Sequence, residues 1–268
     1  MPPTALHISH SPDGCTGMKI EHLTLLLWLA LPAAPGQAAA DDIGSLLDKV
    51  AAAYGGHERL SAVTAFEQYG ETVSAMHQQP GLVHRAFQYP DRLRIEIRYS
   101  TNDSELRILS GASAWKQGVP ATGTLYSAML LQAARLGLPN TLLDHRDKVR
   151  DAGIITGREG DTLRALELSF HGNLRLVAGI DPATGHILES RGIVVTEQGH
   201  GMEFAATYAD FRKVGGRLFA FRETHYGMGK RMGHTTLERI ELTQQLPQEL
   251  FDVSPPERPG PDQHVARR

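Results

Sequence analysis

The stretch Arg92-Leu93-Arg94-Ile95-Glu96-Ile97-Arg98 alternates charged and aliphatic side chains without a break. Successive side chains of a strand point to opposite faces, so this period of two sets Leu93, Ile95 and Ile97 on a buried face and Arg92, Arg94 and Glu96 on a wet one. On a helix the same residues would be scattered around the circumference. The segment therefore predicts a strand in a sheet with one face on a core and the other in water, as antiparallel sheets commonly have.

The same pattern recurs at Glu105–Leu109, Leu163–Phe170, Leu174–Ile180, His186–Glu189, Met202–Tyr208, Leu218–Thr224 and Leu237–Leu242. Short turn-forming clusters lie between them, among them His171-Gly-Asn173 and Asp181-Pro-Ala-Thr-Gly185. Turns of that length leave no room for crossover helices, so the strands are expected to pair antiparallel with their sequence neighbours in a large meander or barrel. Two segments depart from the pattern. Ile43, Leu46, Leu47 and Val50 recur at helical spacing before Gly55-Gly56, and Leu125, Met129, Leu130, Ala133 and Leu136 share one face of a helix over Thr124–Leu136, ended by Gly137 and Pro139.

The chain has 268 residues, 41% hydrophobic and 21% charged, the profile of an ordinary globular protein. Its 27 Lys+Arg against 30 Asp+Glu give no basic excess, which argues against a nucleic-acid partner. The single cysteine, Cys15, excludes a disulfide framework and a Cys-based zinc site.

Lys19, the apolar run Leu23–Ala34 and the small residues Ala38, Ala39 and Ala40 read as a secretory signal peptide over residues 1–40, cleaved after Ala40. The apolar run falls short of the ~20 residues a spanning helix needs. Met18, directly before Lys19, offers a second start, with residues 1–17 then an over-long beginning. The expectation is a periplasmic monomer with one domain over 41–256 and a disordered tail over 257–268, where apolar residues are scarce.

No GxSxG, HExxH, P-loop or helix-opening GxGxxG occurs, so the reading is non-enzymatic and without a cofactor. A metal reading attaches to His225, Met228, Met232 and His234, with His200 and Met202 upstream, because thioether and imidazole together suit copper. Against it, the glycines and Lys230-Arg231 read as an exposed hairpin tip. The more informative residues are apolar: Leu93, Ile95, Ile97, Leu106, Ile108, Leu168, Phe170, Phe204 and Phe221 are the candidates to line a concavity. A curved sheet of this size can hold a hydrophobic ligand or be filled by its own side chains, and sequence pattern leaves both open.

Ala-Tyr-Gly-Gly-His-Glu-Arg-Leu (53–60), Tyr89-Pro-Asp-Arg-Leu-Arg94 entering a strand, and Gly111-Ala-Ser-Ala-Trp115 at a hairpin occur in that order. They are followed by Ile180-Asp-Pro-Ala-Thr-Gly185, Tyr208-Ala-Asp-Phe-Arg-Lys-Val-Gly-Gly216 and Leu250-Phe-Asp-Val-Ser-Pro-Pro256. In this order they resemble the LolA-like outer-membrane lipoprotein-sorting proteins over residues 42–256. The chain departs from that group in having Arg217 where a proline is typical after Gly215-Gly216. The resemblance implies an incomplete antiparallel barrel of about eleven strands, with helices covering an apolar concavity that receives acyl chains. Leu250–Pro256 would then be a closing strand, and Leu125, Met129, Leu130 and Leu136 the inner face of a marginally docked lid. The function implied is binding and transport of a lipid or a lipoprotein's acyl chains. The alternatives are an envelope sensor or adaptor that binds a lipidated ligand and reports to an inner- or outer-membrane protein, and a copper-binding envelope protein.

Overall fold

The computed structural model describes residues 35–77, 79–100, 103–170, 173–195 and 201–253. Residues 1–34 of the expected signal peptide, Cys15, His200 and the tail over 257–268 lie outside the described residues. The chain enters through α1 (Pro35–Ala53) and α2 (His57–Ala62) and then builds strands β1 (Ala65–Ser74), β2 (Gly81–Gln88), β3 (Arg92–Tyr99), β4 (Ser104–Ser110), β5 (Ser113–Lys116) and β6 (Val119–Pro120). Helices α3 (Gly123–Leu136) and α4 (Asn140–Leu143) follow. The chain continues as β7 (Arg150–Thr156), β8 (Thr162–Phe170), β9 (Leu174–Ile180), β10 (Ile187–Val195), β11 (Gly201–Val214), β12 (Arg217–Gly227) and β13 (Lys230–Thr243).

All 13 strands form one sheet in the order β6-β5-β4-β3-β2-β1-β13-β12-β11-β10-β9-β8-β7. Every pairing is between sequence neighbours except β1 with β13, which joins the first strand to the last. The sheet does not close. Its two edges, β6 and β7, follow one another in the chain, so the segment carrying α3 and α4 has to cross from one edge to the other. This is an incomplete antiparallel barrel with a helix at its opening, and it has more strands than the roughly eleven expected because the short β5 and β6 extend one edge.

The deciding stretch is β3. Leu93, Ile95 and Ile97 are 1%, 1% and 7% exposed, while Glu96 on the other face bonds Arg98 at 2.6 Å and Arg94 at 3.3 Å. The expected strand over His186–Glu189 extends to Val195, its continuation hidden in the sequence by Arg191 and Gly192. Arg191 is absorbed on the outer face by Glu189 at 2.6 Å. Gly192 eases the packing, since a Cβ there would lie 3.1 Å from the Leu131 Cβ of α3, a tight contact that would make the Leu131 side chain give way.

Helix α1 buries Leu47, Val50 and Ala51 against Leu166, Leu168, Ala178 and Ile180 of β8 and β9. It ends at Gly55-Gly56, where the Gly56 N–H donates to the Ala51 carbonyl at 2.7 Å and both glycines have positive φ. A Cβ on Gly55 would stand 2.4 Å from the Gly216 carbonyl oxygen, so the first glycine motif of the chain packs directly on the second. Arg217, next to that contact, is buried over the rings of Phe66 and Phe219 and donates to the Val63 and Leu138 carbonyls. Burial pushes its guanidinium down to about 10.

A separate cluster covers the convex face. Leu246 and Phe251 of the C-terminal segment pack on Ala65, Ala86 and Ile108, with Leu106 and Trp115 at its border. The described part of the expected closing strand over Leu250–Pro256 is not a strand but the end of a 3-10 turn at Gln248–Phe251, with the Leu250 carbonyl bonded by Arg94 at 3.4 Å, and residues 254–256 lie outside the described residues. A single turn lets Phe251 reach the sheet face, which a strand extending the edge would not.

Candidate functional site

The inner face of the sheet and the helix that spans its opening make the candidate site. Helix α3 buries Met129, Leu130, Leu131 and Ala133 in one core with Phe66, Phe87, Leu93, Ile95, Ile97 and Leu109. Leu131, 0% exposed, sits over Gly192. The helix is rotated from the expected orientation: Leu125 is 38% exposed, Leu136 is half-buried, and Leu131 and Ala134 are buried instead. The smooth patch at Gly192 sets this rotation by admitting Leu131 at close range. In this arrangement α3 is embedded in the core, which is deeper seating than the expected marginal docking.

The predicted lining divides into three groups. Leu93, Ile95, Ile97 and Phe221 are in the core around α3, with Phe170 and Phe204 half-buried against it. Leu168 packs beneath α1. Leu106 and Ile108 point the other way, because they stand opposite Glu96 and Arg94 in the β3–β4 ladder and so share the convex face with them. Leu109, opposite Leu93, supplies the inward aliphatic of β4.

The four copper candidates do not converge. His225 faces the concave side, whereas His234, opposite Thr224, faces the convex one. Met228 is at the hairpin tip, exposed, and Met232 lies in an irregularity of the ladder beside Gly227. Two faces of one sheet cannot present ligands to one ion.

Between the helix and the sheet lies a polar floor that apolar patterning did not identify. Arg85 of β2, 4% exposed, donates to Glu223 of β12 at 2.8 Å, to Gln68 of β1 at 3.4 Å and to Thr235 of β13 at 3.2 Å. Thr235 also bonds His225 at 2.9 Å and donates to Thr72 at 3.1 Å. On the adjoining strands Tyr208 and Ser190 share a bond of 2.7 Å. From above, α3 contributes Arg135, which donates to the Phe204 carbonyl at 3.2 Å, and Gln132, which accepts from Arg107 at 3.0 Å.

Burial works to raise the Glu223 carboxyl, but the attraction of Arg85, aided by Arg135, holds it below the usual carboxylate range. Burial and the surrounding guanidinium groups push His225 down to about 4, against the pull of Glu223, so its ring is neutral at pH 7. Burial raises the Tyr208 phenol. These groups surround a cavity of about 70 Å³, bounded on its apolar side by Phe66, Leu136 and Phe219. It has room for a few waters.

Three of the floor residues carried a signal in the strand phase. Arg85 sits between Val83 and Phe87, Gln68 follows Phe66 by two, and Glu223 follows Phe219 and Phe221 by the same step. All three are polar residues at inward positions of otherwise apolar rows.

No family model matches the chain, and no curated protein matches it. Among solved structures, a LolA superfamily protein from Nitrosomonas europaea is similar at 11% identity with a TM-score of 0.49, covering 78% of this chain and 97% of its own. A DUF1329 family protein from Desulfovibrio piger is similar at 9% identity with a TM-score of 0.46, again covering 78% of this chain and 97% of its own. The likeness lies in the fold, and no residue's role in this chain is taken from either.

Proposed function

We propose that the protein is an exported, periplasmic, non-enzymatic binder of a lipid or of a lipoprotein's acyl chains, which it takes into the concavity by displacing α3. The observation that carries this is the helix itself: a segment joining the two free edges of the sheet lays Met129, Leu130 and Leu131 against an apolar inner wall that no strand covers. Withdrawing those three side chains costs about 1.5–3 kcal/mol each, roughly 5–9 kcal/mol in all. A C16 chain buried in their place returns on the order of 12 kcal/mol at ~0.8 kcal/mol per CH₂. The exchange is favourable by a few kcal/mol before ordering costs, enough for reversible capture.

Export is supported by Lys19, the apolar run and the Ala38/Ala40 site. Native mass spectrometry of protein taken from the envelope of its own host tests the reading: retained lipid supports it, and an empty protein or a bound metal ion counts against it. Locking α3 provides the mechanistic check. In a Cys15→Ser background, Leu131→Cys with Gly192→Cys places two Cβ atoms about 3.1 Å apart, a few tenths of an ångström inside the usual disulfide range. Oxidation is expected to abolish uptake of a fluorescent acyl probe and reduction to restore it. Uptake unchanged by oxidation would sink the displacement mechanism.

A further inference from the structure

The polar floor has more cationic than anionic charge, and this bears on what an acyl ligand carries at its end. Arg85 and Arg135 both border the cavity, and Glu223 is the one carboxylate among its described lining residues. Arg85 uses its two terminal nitrogens on Glu223, Gln68 and Thr235, while its Nε is buried with no hydrogen-bond partner among the described residues. Arg135 spends one nitrogen on a neutral carbonyl, and its Nε is likewise buried and unpartnered. A guanidinium has five N–H donors in a planar fork suited to carboxylate or phosphate oxygens. A buried donor left unmade is costly, so an oxygen-rich anion has a direct gain here that a neutral head does not. The neutral His225 ring adds a hydrogen-bonding edge without adding charge.

We infer that the cavity between Arg85 and Arg135 seats an anionic group, a carboxylate or phosphate, at the end of the acyl ligand. This rests on the acyl-binding reading and narrows its substrate class from any apolar chain to an anionic amphiphile. The arrangement also makes Arg135 part of both states. It lies on the helix that the chain displaces, so the headgroup holds α3 by its last turn while the apolar part of the helix yields.

The test compares one fluorescent fatty acid with its methyl ester, which has the same chain and no charge, in wild-type protein and Arg135→Gln. The acid is expected to bind wild type at least tenfold more tightly than the ester, and Arg135→Gln to bring the acid-to-ester ratio close to one, with Arg135→Lys restoring part of it. Displacement by laurate against dodecyl phosphate distinguishes a carboxylate from a phosphate source. Equal affinity for acid and ester in wild type overturns the anionic site and leaves the acyl-binding reading standing. If neither probe binds, that reading fails, and inorganic phosphate then decides the site. Phosphate binding lost in Arg135→Gln upholds the site, and its absence in wild type overturns it.

Discussion

Beneath α3 the inner wall is of two kinds, a side-by-side contrast within one sheet. Toward β3 and β4 it is aliphatic, with Leu93, Ile95, Ile97 and Leu109 packed on Met129 and Leu131. Across β2, β1, β13 and β12 the same inward rows carry Arg85, Gln68, Thr235 and Glu223. The aliphatic part is stabilised by area removed from water and tolerates any partner of similar shape. The polar part is stabilised only while each group keeps its partners, since a buried charge that loses its counter-charge is strongly destabilising. One region can exchange a helix for a chain, and the other holds a fixed chemical pattern for a ligand's end.

The largest way to break this contrast is Glu223→Leu, which strands Arg85 without its carboxylate. Urea unfolding at pH 7 is expected to show a loss of about 3–5 kcal/mol, with Arg85→Met added to Glu223→Leu recovering most of it. A single-variant loss under 1 kcal/mol would mean that the pair is not buried as described. On the aliphatic side, Ile95→Ala is expected to cost about 2–4 kcal/mol through lost contact and cavity formation. No second substitution in its row should rescue it, because that wall works by volume and not by pairing.

The pH dependence sharpens the contrast further. His225 titrates at about 4 in the folded chain, against roughly 6.5 when unfolded. The unfolded state therefore binds the proton first, and stability falls as pH drops through the window from 6.5 to 4, by up to about 3 kcal/mol. Glu223, held below the usual carboxylate range, adds a loss of the same sign at the acid end of that window. Wild type and His225→Gln are to be compared by thermal unfolding between pH 7 and pH 4. The variant should lose much of the slope above pH 5, and an unchanged slope would show that the ring is not held neutral.

The smallest effect belongs to the convex face, where His84 bonds Glu67 at 2.6 Å and stacks on Tyr69 at 4.6 Å in partly solvated surroundings. His84→Ala is expected to cost about 0.2–1 kcal/mol in the same unfolding assay. A cost approaching that of Glu223→Leu would erase the distinction between the two faces.

The strand period by itself determined that Leu93, Ile95 and Ile97 face inward, that the sheet is antiparallel, and that one helical segment precedes it and another interrupts it, because side-chain direction in a strand follows from local backbone geometry. The family resemblance carried by the order of short motifs implied an incomplete barrel. Two inward assignments failed for a reason outside local geometry. Leu106 and Ile108 alternate as well as any strand residues, but which face of β4 is buried deeper depends on its register with β3 and on Leu246 and Phe251, more than a hundred residues away, which cover the convex side. Tertiary structure likewise decided that α3 spans the gap between β6 and β7, since the first and last strands had to pair before that gap existed. The polar floor was partly visible as Arg85, Gln68 and Glu223 in inward phase. That these residues meet one another, and meet Arg135 from above, depends on three separate stretches of chain converging, the β1–β2 hairpin, α3 and β12, because a buried charge is satisfied by its neighbours in space and not by those in sequence.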